Sequence, residues 1–177
     1  MPHQYYLLPP SEHYSFICDN YRMKVFCSQV INCKPKDLFP WIADSDKAML
    51  WQKGVKESKI LEEKKEKVGT TFTERMEENG NSLTMSGEIT GYVKDKMMSF
   101  HLTSKIHEVD AEYSITTEKG GLTIEVASNI KWKFPMNLIT LFIGKKIKHR
   151  ILDQTQAELA ELKRLCEANI KTDATKK

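Results

Sequence analysis

Glu74 is the ionisable side chain with the most unusual predicted neighbours. Asn79-Gly80 is a strong two-residue hairpin signal. Pairing around it sets Met76 against Leu83, Glu74 against Met85 and Phe72 against Gly87. The opposite face pairs Glu77 with Ser82, Arg75 with Thr84 and Thr73 with Ser86. One row is therefore apolar except for Glu74, and the other is wholly polar, which specifies the register. A carboxyl held among apolar groups loses hydration and binds its proton more tightly. Such a group suits proton donation or the anchoring of a ligand's polar atom. The competing reading is a hairpin that overshoots the core and leaves Glu74 in water.

The same parity places Tyr113, Ser104, Ser128 and Gln29 on the inner face, where hydroxyls and an amide could orient a ligand. Trp51, Phe72, Met85, Phe100 and Trp132 supply apolar walls, either for a pocket or for an ordinary packed core. No catalytic residue is assigned. His101 and His149 fall on outward faces, and no G-x-S-x-G, Cys-His-Asp or H-E-x-x-H pattern occurs. The four cysteines have no C-x-x-C spacing and no histidines at zinc-ligand distance. No metal and no cofactor are expected.

These residues need a sheet and a helix to hold them. Residues 23–31 read as a strand stopped by Asn32 and Pro35. Residues 36–43 form a short helix interrupted by Pro40, and Asp44-Ser45-Asp46 caps a second over 47–52. Strands then alternate from Val55 to Trp132. A turn at Asp95-Lys96 would keep Val93, Gly91, Met98, Phe100, Leu102 and Ser104 on the apolar face. A turn at Lys119-Gly120 pairs Thr117 with Leu122, Ile115 with Ile124, Tyr113 with Val126 and Ala111 with Ser128. Gly87 and Gly91, in mid-strand, suggest a bulge or bend. From about Asn137 to Ala168, Ile139, Ile143, Ile147, Ile151, Thr155, Leu159, Leu162 and Cys166 form one helical stripe, with Glu158, Glu161 and Lys163 facing water. The domain organisation is an irregular extension over 1–22, one domain over 23–170 and a polar tail over 171–177.

The chain has 177 residues and a net charge of +3, too small a bias to indicate nucleic acid. The start lacks the pattern of a secretory signal, so reduced thiols and a cytoplasmic location are expected. The longest nearly apolar run, Phe134 to Ile143, is about half the roughly 20 residues of a membrane span. Lys145, Lys146, Lys148 and Arg150 follow that run. They read as a solvated helix face or as a contact for an anionic membrane surface.

Ile31-Asn32-Cys33-Lys34-Pro35-Lys36-Asp37-Leu38-Phe39, with Trp41-Ile42-Ala43-Asp44 after it, resembles the opening of the Bet v 1-like, START-related (SRPBCC) superfamily. Val68-Gly69-Thr70-Thr71-Phe72-Thr73 and Gly87-Glu88-Ile89-Thr90 are similar to later segments of polyketide cyclase-like and Hsp90-activator-like members. The opening proline is displaced by two positions, and the turn before Met97 lacks the usual proline. The resemblance implies an α+β helix-grip fold. A seven-stranded curved antiparallel sheet would wrap a long C-terminal helix, with two short helices between strands one and two. It also implies a small hydrophobic ligand, a lipid or polyketide, as the partner. The expected function is binding or carrying such a ligand without covalent chemistry. The alternatives are a cyclase or aromatase using the same cavity, with Glu74 and Tyr113 moving protons, and a protein-interaction member resembling Hsp90 activators.

Overall fold

The computed structural model describes residues 22–78, 80–118 and 121–175. The expected extension up to residue 21, and the turn residues Asn79, Lys119 and Gly120, lie outside them. The elements are β1 (Arg22–Ile31), α1 (Pro35–Leu38), α2 (Pro40–Ala43), α3 (Ser45–Trp51), β2 (Val55–Glu62), β3 (Thr71–Glu78), β4 (Asn81–Val93), β5 (Met97–Thr103), β6 (His107–Glu118), β7 (Gly121–Trp132) and α4 (Met136–Thr175). The strands form one antiparallel sheet in the order β1-β7-β6-β5-β4-β3-β2. Its seven strands face α4, which makes this a helix-grip fold.

Local chemistry accounts for the short helices. Pro40 has no N–H to donate, so the first expected helix divides into α1 and α2. The Asp44 carboxylate accepts from the Asp46 and Lys47 amides at 3.0 and 3.3 Å, which caps α3. The helix α4 runs to Thr175, past the tail boundary drawn from composition at residue 171.

Two of the three hairpin registers match the parity reading. In the β3–β4 pair Glu74 lies opposite Met85 and Phe72 opposite Gly87. In the β6–β7 pair Tyr113 lies opposite Val126 and Ala111 opposite Ser128. The β4–β5 pair differs. Its turn has three residues, closed by the Lys96 amide donating to the Val93 carbonyl, with Asp95 at φ 62. A register shift between Ile89 and Gly91 adds one more residue to β4. A bulge reverses the alternation beyond it. Val93, expected inside, is therefore exposed, and Gly91 pairs with Ser99 on the outer face. Tyr92 turns inward instead, its ring edge-on to Phe39 with centroids 5.4 Å apart. Gly87 serves close approach: a Cβ there would lie 2.3 Å from the Phe72 ring.

The solid part of the interior lies at the β1 end. Leu159, Leu162 and Cys166 of α4 pack with Ile31, Leu38, Leu122 and Ile124. The indole of Trp51 is buried there and donates to the Trp41 carbonyl at 2.8 Å. The expected stripe on α4 holds from Ile147 onward. Ile139 and Ile143, expected in the core, are 44% and 46% exposed, and over these first turns Thr140 is the buried position instead.

Candidate functional site

Sheet and helix do not close on each other along their whole length. Between them lies a cavity of about 870 Å3, within the roughly 300–1,000 Å3 typical of small-molecule sites. The curved sheet supplies one wall, through Phe72, Met85, Ile89, Met98, Phe100 and Leu102. The helix supplies the other, through Ile147, Ile151, Thr155 and Glu158. Phe72, Phe100, Tyr113 and Trp51 form a chain of edge-to-face rings, with successive centroids 5.9, 6.0 and 6.0 Å apart. That geometry suits ring quadrupoles and stiffens the aromatic side.

Polar groups gather in one corner. Glu74 projects from β3 beside Ser58 of β2 and makes no hydrogen bond or ion pair among the described residues. Burial pushes its carboxyl up to about 7. The Tyr113 hydroxyl accepts from Gln52 Nε2 at 3.4 Å. Its phenol is raised by burial first and then by the charges of Glu158 and Glu74, against the hydrogen bond from Gln52. Burial also raises Glu158, opposed by a 3.0 Å bond from Gln154 Nε2 and by the Gly54 and Lys53 amides. At the other end His107 lies by Trp132, ring centroids 5.2 Å apart, and burial and Lys133 lower its pKa. The arrangement can hold an apolar body and meet one polar group with a carboxyl and a phenol. Among the described residues no three His, Cys, Asp or Glu side chains converge as metal ligands.

Seven of the residues singled out from the sequence line this cavity: Glu74, Tyr113, Ser128, Phe72, Met85, Phe100 and Trp132. Three others do not. Ser104 turns into the β5–β6 connection, where its hydroxyl bonds the His107 carbonyl and the Ile106 and His107 amides. Gln29 is on the inner face but at the edge strand, where it donates to the Val30 carbonyl and accepts from Gln156 of α4. Trp51 is 1% exposed and belongs to the core beneath Tyr113. Sequence reasoning missed Glu158, placed there among water-facing residues. Its signal was the spacing Ile151, Thr155, Glu158, Leu162, which keeps it on the helix face turned to the sheet. Gln52 and Ser58 carried no periodic signal, because a loop and a bulged edge strand present them.

No protein-family model matches the chain, and no curated protein matches it in sequence. Solved structures do match in shape. TTHA0849 from Thermus thermophilus superposes with a TM-score of 0.71 at 11% identity, covering 83% of this chain and 99% of that one. The ZhuI aromatase/cyclase from Streptomyces sp. R1128 gives 0.68 at 12%, covering 84% and 96%. Ara h 8.0201 gives 0.63 at 13%, covering 83% and 99%. The chain thus shares the helix-grip fold of these structures. At these identities the likeness speaks for the fold, and the site's own chemistry must speak for function.

Proposed function

We propose that this protein binds or carries a small hydrophobic ligand with one polar group, a lipid, polyketide or similar molecule, between its sheet and α4. The carrying observation is the cavity of about 870 Å3, apolar over most of its wall, with Glu74, Tyr113 and Glu158 among its polar groups. Glu74 and Tyr113 meet the ligand's polar group, and Phe72, Met85, Phe100 and Trp132 enclose its body, with Ser128 on the sheet floor. Titration with an apolar fluorescent probe should saturate, and native mass spectrometry of freshly purified protein should find a retained molecule. Leu102→Trp fills the cavity and should abolish probe binding while leaving cooperative unfolding intact. Absence of saturable binding, or binding that the tryptophan leaves unchanged, would refute the reading. The setting that goes with this reading is reducing and cytoplasmic, as the unpaired spacing of the cysteines in the sequence suggests.

A second reading is an enzyme of the cyclase or aromatase class. It is favoured by Glu74, whose carboxyl titrates near neutrality inside an apolar chamber, as a general acid requires. The readings separate on Glu74→Gln. In the enzyme this variant binds substrate and loses turnover; in the carrier it changes affinity alone.

A further inference from the structure

The first turns of α4 and the segment leading into them carry the barest apolar surface of the described chain. Phe134 is 75% exposed and Phe142 89%, while Leu138, Ile139, Leu141 and Ile143 are each 44–50% exposed. The helix is nonetheless seated. Thr140 is 5% exposed on the opposite side, and Ile147 and Ile151 continue that seated line into the cavity wall. Leu138 and Phe142 point away from it, and Lys145 and His149 follow them at three- and four-residue spacing along the outward side. From Phe134 to Leu152 there is no acidic residue. Lys145, Lys146 and Lys148 are exposed and have no ion pair among the described residues.

An exposed apolar band of this extent calls for a cover. A second copy would bury the band and leave the lysines without counter-charge, because this stretch has no carboxylate to offer. A bilayer surface satisfies both parts. Apolar side chains enter the boundary between headgroups and acyl chains, and lysines one turn further along reach the phosphates. We propose that the projecting first half of α4, centred on Phe142 and flanked by Lys145, Lys146 and Lys148, docks on anionic phospholipid membranes. Met136 and Ile147, which bracket the band, line the cavity, so the docked surface lies at the cavity's edge. The docking does not depend on what the cavity holds. It is peripheral, since no helix among the described residues is long and apolar enough to cross a membrane.

The test is sedimentation of the full chain with vesicles of phosphatidylcholine alone and of phosphatidylcholine mixed with phosphatidylserine. The protein should co-sediment with the mixed vesicles, and added salt should release it. Lys145→Gln with Lys146→Gln should weaken partitioning roughly thirty-fold, from about 1 kcal/mol per lysine near an anionic surface. Phe142→Asp should abolish binding with the melting temperature unchanged, because the side chain it replaces touches water. Failure to bind mixed vesicles would overturn the proposal, as would equal binding to phosphatidylcholine alone or binding indifferent to Phe142→Asp. A lipid-free oligomer that Phe142→Asp dissolves would overturn it too, by assigning the band to a second copy.

Discussion

Glu74→Gln should change how stability depends on pH, and the size of the change follows from the carboxyl's surroundings. In the unfolded chain this acid ionises near 4.5; in the folded protein burial moves it to about 7. Below 4.5 both states hold the proton and the group contributes no difference. Between the two values only the folded state keeps the proton, so stability is lost as pH rises, and the loss is complete above the folded value. Each tenfold change in acid constant is worth 1.36 kcal/mol, so the full loss would be about 3 kcal/mol. Glu74 keeps partial contact with solvent in the cavity, and screening there lowers the expected figure to about 1–3 kcal/mol. Glutamine has no proton to lose. The variant should therefore gain about 1–3 kcal/mol on the parent between acid and weakly alkaline pH. Glu158, also raised by burial, titrates in both proteins and largely cancels from the difference. Urea unfolding of both, in steps from below 4.5 to above 7, measures it. Any fixed cost of burying an amide shifts the two curves apart by a constant and does not enter the result. Parallel stability curves across that range would refute the claim that a desolvated carboxyl occupies this wall.

Two further expectations concern packing. Leu162→Ala opens a void in the solid end of the core, where Leu162 is fully buried, and should destabilise by about 2–5 kcal/mol in urea titrations. The glycines should divide by surroundings. Gly87→Ala drives a methyl against the Phe72 ring at 2.3 Å, displaces that ring into the cavity, and should cost about 1–3 kcal/mol together with apolar-probe affinity. Gly144→Ala meets only Thr140 Cβ at 3.8 Å within α4, and should stabilise by about 0.5–1 kcal/mol in thermal unfolding. A harmless alanine at 87 would contradict the close approach of β4 to β3.

Much of this architecture is written in local chemistry. Two turn signals and period-two alternation sufficed to align β3 with β4 and β6 with β7, because a one-residue slip would expose every apolar side chain. The same alternation placed Glu74, Phe72 and Met85 on one wall, and the Pro40 and Asp44 signals divided the short helices. Period counting failed at Thr90-Gly91, where the bulge returned Val93 and Gly91 to the outside and drew Tyr92 in. A bulge is decided by what neighbouring strands can accommodate, and no residue announces it. Ser104 illustrates a related failure: its face depended on the strand continuing, and a turn captured its hydroxyl first.

The position of α4 over the sheet was equally out of reach of periodicity. A stripe of eight positions reads as uniformly buried, yet Ile139 and Ile143 at its start are half exposed, and Glu158 joins the cavity from a face counted as wet. Spacing along a chain dictates which side chains share a face, since that depends on backbone geometry alone. How far a face is covered, and whether a hollow persists beneath it, depends on where two distant elements cross, which is settled by long-range packing once the sheet has curved.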